Sequence, residues 1–213
     1  MKGLVFTGGA APGEKVFEAL KGRFDFSIAA DSGYNTAVSI GAEVDYIVGD
    51  MDSISSEKVL SVVPPEKIIR YKVDKDETDT EIAVRHAREA GCGFVCIYGG
   101  GGGRLDHLIG IFSLFERENP PNMWVTDSDV VVLINSEFVL RGMKNTTISF
   151  FPAGQDACTM QTGGLKWNLN KLRWEKGDCG MSNVVVENEM KVEMKTGRLL
   201  LIGPLELLRG MDI

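Results

Sequence analysis

The sequence predicts an α/β fold: an N-terminal, doubly wound, mostly parallel sheet domain followed by a small all-β sandwich domain. Three observations predict it. Up to residue 127, short apolar runs alternate with helix-period segments, the pattern of parallel strands joined by helices. From Val130 on, β-like runs follow one another closely, separated by Gly, Asn and Pro, with no helical pattern between them. And Asp, Ser and Gly collect just after the apolar runs of the first part, where open parallel sheets bind ligands. The expected domains are 1–127 and 128–213.

Taken in order, Leu4–Phe6 reads as a strand, followed by a helix around Glu14–Lys21 with Val16, Phe17 and Leu20 on one face. Phe26–Ala30 is the next strand and Tyr34–Ile40 a helix. Tyr46–Val48 and Ile68–Tyr71 are strands three and four, and Thr80–Ala90 is helical. Phe94–Tyr98 is a strand that runs into Gly99–Gly103. The stretch Arg104–Glu116 has a helical period, and Met123–Val125 is one more strand. Beyond it come "VVVLIN", "EFVLRG", "TISFFP", "NVVVEN", "MKVEMK" and "RLLLIG". Met190–Ile202 reads as a hairpin turning at Thr196-Gly197.

A chain of 213 residues can bury a substantial core, and 44% hydrophobic with 25% charged residues is ordinary for a globular protein. The net charge of -7 and pI near 5.0 exclude the basic footprint of a nucleic-acid binder. No apolar run approaches a membrane span, and Leu4–Phe6 is too short for a signal-peptide core. Four cysteines without metal-ligand spacing fit a reduced, cytoplasmic setting.

The chemistry lies at the strand ends. "YIVGDMDSI" breaks a buried strand at Gly49 and places Asp50 and Asp52 one residue apart, where they repel unless a cation intervenes. Asp31-Ser32-Gly33 ends the second strand, and "KDETD" carries Asp76 and Asp79, with Thr78 or Asp79 able to cap the next helix together with Glu81. Five glycines ahead of Arg104 form a backbone bed suited to phosphate, and Arg104 has a planar fork that matches phosphate oxygens. Asp106 can orient that Arg, reach a metal or form a plain ion pair. Carboxylates without His or Cys partners select Mg²⁺, shared with substrate phosphates. Together these features indicate phosphoryl or pyrophosphoryl transfer from a nucleotide. In the β part, "GGLKWNL" offers Trp167 and "GMSNVVV" offers Ser182 and Asn183. Taken alone, Trp167 is better read as a core aromatic and Ser182-Asn183 as a turn, whereas a functional Trp would face a cationic aromatic ligand.

The ordered set "ADSG", "GDMDS", "KDETDTE", "GGGGGRLDH", "GLKWNL" and "SN", spanning Ala30 to Asn183, resembles thiamine pyrophosphokinase. The resemblance implies ATP as co-substrate, Mg²⁺ as cofactor, thiamine as acceptor and AMP as product, in a homodimer with thiamine at the subunit interface. It implies Asp50, Asp52 and Asp79 as metal ligands, with Asp76, Arg104 and Asp106 completing the catalytic set. Asp31, Ser32, Gly33, Thr78, Gly102, Gly103 and Arg104 would hold the nucleotide, and Trp167, Ser182 and Asn183 the thiamine. Two positions depart from the family's pattern: Gly100 where a small residue such as Ala is common, and Ile111 where Asn is usual. Another hydroxyalkyl heterocycle, such as a pterin, or a non-catalytic nucleotide or thiamine sensor, are the competing readings.

Overall fold

The computed structural model describes residues 1–52, 54, 63–72 and 76–212; Ser53 and Lys75, in two of the quoted motifs, lie outside them. The chain divides into two compact units, Met1–Ile111 with Trp124–Asp127, and Phe112–Met123 with Ser128–Ile213.

The first unit contains β1 (Lys2–Thr7), α1 (Glu14–Leu20), β2 (Phe26–Ala30), α2 (Gly33–Ser39) and β3 (Tyr46–Gly49). It continues with β4 (Ile68–Arg70), α3 (Asp79–Glu89) and β5 (Phe94–Gly99); α4 (Leu105–Leu114) starts in this unit, and β6 (Met123–Val125) closes it. Its strand order is β6-β5-β1-β2-β3-β4. β1 pairs parallel with both β2 and β5, and β2–β3 and β3–β4 are parallel too. The chain thus steps outward from β1 to β4, then returns to the other side of β1 as β5. That reversal makes the gap between β1 and β5 a topological switch point, the crevice where open α/β sheets bind ligands. β1, β2, β3 and β5 are nearly continuous apolar runs, as strands covered on both faces require. Phe6, Phe17 and Tyr98 pack edge to face or tilted at 5.6–6.2 Å between ring centres, and the buried Tyr98 hydroxyl donates to Pro12 O at 2.9 Å.

The second unit comprises β7 (Asp129–Ile134), β8 (Glu137–Arg141), β9 (Thr147–Ala153), β10 (Cys158–Gly163), β11 (Arg173–Trp174), β12 (Gly180–Val184), β13 (Glu189–Thr196) and β14 (Arg198–Pro204). The strands form two antiparallel sets, β12-β9-β14-β7 and β11-β10-β13-β8, the sandwich expected. Alternating residues such as Ile148 and Phe150 on β9, and Met190 and Val192 on β13, are fully buried.

One expectation is corrected. Met190–Ile202 is not a hairpin: β13 pairs with β8 and β10, whereas β14 pairs with β7 and β9. Gly197 does turn the chain, at φ 68°, but it passes the strand from one sheet to the other. β10 and β11 were not anticipated at all. In β10 the inward Cys158, Met160 and Thr162 alternate with Thr159 and Gln161, a strand signal weakened by its polar residues.

Candidate active site

The carboxyl ends of β1, β2, β3 and β5 lie at one edge of the parallel sheet, and the loops leaving them carry the polar residues. Glycine allows them to crowd together. A Cβ at Gly33 would overlap the Phe6 carbonyl oxygen, and one at Gly8 would overlap the Ser32 hydroxyl, so the loops after β1 and β2 pack against each other. Thr7, the buried last residue of β1, shares a 2.7 Å hydrogen bond with the Thr80 hydroxyl at the start of α3.

Asp31, Asp50 and Asp52 converge here, one carboxylate oxygen of each lying within 4.8 Å of the others. Asp31 (φ 44°) and Met51 (φ 70°) adopt left-handed backbone that ordinary residues avoid, the kind of local strain that concentrates at functional sites. The Asp52 N–H donates to Asp50 Oδ1 at 3.2 Å, folding the Asp50-Met51-Asp52 turn on itself. Like charges this close repel by about 1 kcal/mol per pair in water, and by about 4 kcal/mol where the surroundings are less polarisable. The three acids therefore favour a cation between them.

Asp79 stands beside Asp31, against the same face of Gly49. A Cβ placed at Gly49 would be 3.1 Å from both Asp31 Cβ and Asp79 Oδ1. The triad is thus built from Asp31, Asp50 and Asp52, with Asp79 against the glycine that precedes Asp50. Thr78 caps α3: its hydroxyl accepts from the Glu81 N–H at 3.3 Å, and the Thr78 N–H donates to Glu81 Oε2 at 2.7 Å. Asp76 is exposed on the turn ahead of that cap.

The five glycines divide into two groups. Gly99, Gly100 and Gly101 are buried and walled in: a Cβ would stand 2.5 Å from Thr7 O at Gly99, overlap Ile111 Cδ1 at Gly100, and overlap Asp127 Oδ1 at Gly101. Trp124 Nε1 donates to Gly99 O at 2.7 Å, and Gly101 exchanges backbone hydrogen bonds with Ala10. Gly102 and Gly103 are exposed, with φ 64° and 68°, and form the open part of the bed. The two departures from the family pattern touch each other, since Ile111 fills the space that a side chain at position 100 would need. Arg104 donates to Asp106 from Nε at 3.1 Å and from Nη2 at 2.5 Å, both side chains being exposed. That bond, with the charge behind it, holds the Asp106 carboxyl below its usual range and the Arg104 guanidinium above its own.

Trp167, in the second unit, is 53% exposed and so is not a core residue. Asn183 holds it in place. Buried to 3% exposure, Asn183 donates from Nδ2 to Trp167 O at 2.7 Å, and its Oδ1 accepts the N–H groups of Trp167 and Val184. Ser182 lies in a bulge of β12 at φ 58°, its N–H donating to the Ser149 hydroxyl. Lys166 Nζ is 4.4 Å from the centre of the Trp167 ring, so that ring face already attracts a cation.

Several contributors escaped the sequence reading: Thr7, the loop Gly8-Gly9-Ala10, Asp127, and the inclusion of Asp31 in the acidic triad. The "TGGAAPG" run after β1 was the available signal.

Fold and site together define a class, in which a parallel α/β unit gathers carboxylates and a glycine bed at the carboxyl ends of its strands and an antiparallel β unit presents a fixed, exposed tryptophan. Family models narrow it: "Thiamin pyrophosphokinase, catalytic domain" matches residues 17–125, and "Thiamin pyrophosphokinase, vitamin B1 binding domain" matches 133–199. The chain belongs to the thiamin pyrophosphokinase family. It is 26% identical to the thiamine pyrophosphokinase of Bacillus subtilis (strain 168) over 82% of this chain and 85% of that protein. It is 25% identical to thiamine pyrophosphokinase 1 of Oryza sativa subsp. japonica over 70% of this chain and 61% of that one. The fold is shared with the crystal structure of the Bacillus subtilis thiamine pyrophosphokinase (TM-score 0.77, 22% identity, all of both chains). It is also shared with the Candida albicans thiamin pyrophosphokinase (TM-score 0.71, 17% identity, 99% of this chain and 90% of that one). These matches favour neither the pterin nor the sensor reading. Among the described residues, no helix is long and apolar enough to cross a membrane.

Proposed function

We propose that this protein is a Mg²⁺-dependent thiamine pyrophosphokinase, moving a diphosphate group from ATP to the hydroxyl of thiamine to give thiamine diphosphate and AMP. The observation that carries the reading is the meeting of Asp31, Asp50 and Asp52 at the parallel strand ends, in a chain of this family. The donor set is all carboxylate oxygen, which suits Mg²⁺. Asp31, Asp50 and Asp52 would hold the ion, with Asp79 beside Asp31 at Gly49, and the ion would neutralise charge on the triphosphate oxygens. The thiamine hydroxyl oxygen bonds to the β-phosphorus as the bond from that phosphorus to the α–β bridging oxygen breaks. AMP leaves with the electron pair, and the hydroxyl proton passes to solvent. Such in-line transfer needs mainly positioning and charge stabilisation.

Arg104, aimed by Asp106, supplies a fixed positive charge for the phosphate oxygens, and Gly102 and Gly103 offer bare backbone. Asp31, Ser32, Gly33 and Thr78 line the nucleotide's side, and Asp76 adds negative charge beside the metal. Residues 1–127 act as the catalytic, ATP-binding domain and 128–213 as the thiamine-binding domain. There Trp167 faces the thiamine rings, and Ser182 and Asn183 shape that surface. The working form is a cytoplasmic homodimer with thiamine at the subunit interface, and the exposed Trp167 and Met181 are apolar surface consistent with that use.

Purified protein given ATP, Mg²⁺ and thiamine should release AMP and thiamine diphosphate in equal amounts, and Asp50→Ala should lower the rate by about 10²–10³-fold. Release of ADP, or of no AMP beyond the Asp50→Ala background, overturns the reading.

A further inference from the structure

Two consecutive residues of α3 hold Tyr71, which follows β4, and Glu77, which precedes the cap of α3. The Tyr71 hydroxyl and His86 Nε2 are 2.9 Å apart, with the two rings edge to face at 6.1 Å. The Tyr71 N–H also donates to Gly49 O at 3.0 Å, so this grip reaches the residue beside Asp50. Arg85 engages Glu77 with two parallel bonds, Nε to Oε1 at 3.3 Å and Nη2 to Oε2 at 3.0 Å. Glu77 lies between Asp76 and the capping residue Thr78. Arg85 Nη1 is steadied from behind by Glu89 Oε1 at 3.2 Å. A bidentate Arg–carboxylate pair fixes orientation as well as distance, unlike a single-point lysine contact. Hydrogen bonds that the Arg85 guanidinium makes to Glu77 and to Tyr71 raise it above its already high ordinary pKa, so it stays charged throughout the working range.

We propose that Arg85 and His86 are positioning residues: through Glu77 and Tyr71 they set where Asp76 and Asp79 stand relative to Asp50. α3 is the common reference. Asp79 is its first residue, its Oδ1 lies against Gly49, and Thr80 ties it to the end of β1. The side chains of Arg85 and His86 are 38% and 23% exposed, outside the buried face of Ile82, Ala83, Val84 and Ala87, so their place in the helix is not explained by core packing. The inference rests on the function proposed above, and its test separates the two.

The test compares the wild type with Arg85→Ala, Arg85→Lys, Tyr71→Phe and the charge-swapped pair Glu77→Arg with Arg85→Glu. It measures thermal midpoint, kcat, KM for ATP and for thiamine, and Mn²⁺ affinity by calorimetry on the nucleotide-free protein. Loss of either grip should lower kcat or Mn²⁺ affinity by about 10-fold, in the range of outer-shell substitutions, while the thiamine KM and the thermal midpoint hold. Arg85→Lys should lose most of the effect, and the swapped pair should regain most of it. Wild-type rates and Mn²⁺ affinity in Arg85→Ala, or a swapped pair as impaired as Arg85→Ala, overturn the proposal. A wild type that binds Mn²⁺ but releases no AMP overturns the assigned reaction instead, and the grips are then judged on Mn²⁺ affinity alone.

Discussion

Gly100 and Ile111 show how a single atom can decide what a position accepts. Gly100 has φ 73°, and the Cδ1 of Ile111 sits where its Cβ would be. Gly100→Ala should therefore destabilise the protein by about 1–3 kcal/mol through strain and overpacking. Ile111→Val removes that Cδ1 and alone should cost about 0.5–1.5 kcal/mol. In the double variant the cost of Gly100→Ala should shrink, because the two sites are in contact and their effects do not add. Denaturant melts of the four proteins check this; strict additivity would show that the contact is not what excludes a side chain at position 100.

At the scale of elements, α3 begins where the sequence announces it. "TDTE" is a capping box, and the structure forms both of its bonds. Thr78→Ala should cost about 1 kcal/mol, and Thr78→Ser should cost much less because the hydroxyl remains. Equilibrium unfolding in urea measures both, and equal losses would remove the cap as the cause. Such signals are legible because they act within a few residues. The pairing of β13 and β14 is not local: Thr196-Gly197 has hairpin chemistry, yet the next strand joins the other sheet. The apolar patterns foretell the difference only faintly, β13 alternating while β14 buries Leu199, Leu200 and Leu201 in a row. The glycine run likewise concealed a division of labour, since only neighbouring strands show which glycines are walled in and which stay open.

Across the whole molecule, both units bury groups that resist ionisation. Burial pushes the Cys158 thiol in the second unit up to about 11, and in the first it raises the Cys96 thiol and, most of all by desolvation, the Tyr98 phenol above their ordinary values. The unfolded chain therefore releases these protons first. Between pH 9 and 11 the folded state holds more protons than the unfolded one, so stability falls as pH rises. The thermal midpoint should drop steadily over that window, and Cys158→Ala should flatten the slope even if it lowers the midpoint overall. An unchanged slope in that variant would exclude Cys158 as a contributor.

The alternation of strands and helices up to β6, the change to closely spaced strands after it, the acidic motifs and the cap of α3 were determined by the sequence itself, because periodicity, turn chemistry and charge spacing act over short stretches of chain. Only the tertiary structure decided that Asp31 joins Asp50 and Asp52 with Asp79 beside it at Gly49, that β5 returns beside β1 to open the switch point, and that Asn183 fixes Trp167 at the surface. Each of these depends on which distant strands become neighbours, and that choice is made by the packing of the whole core.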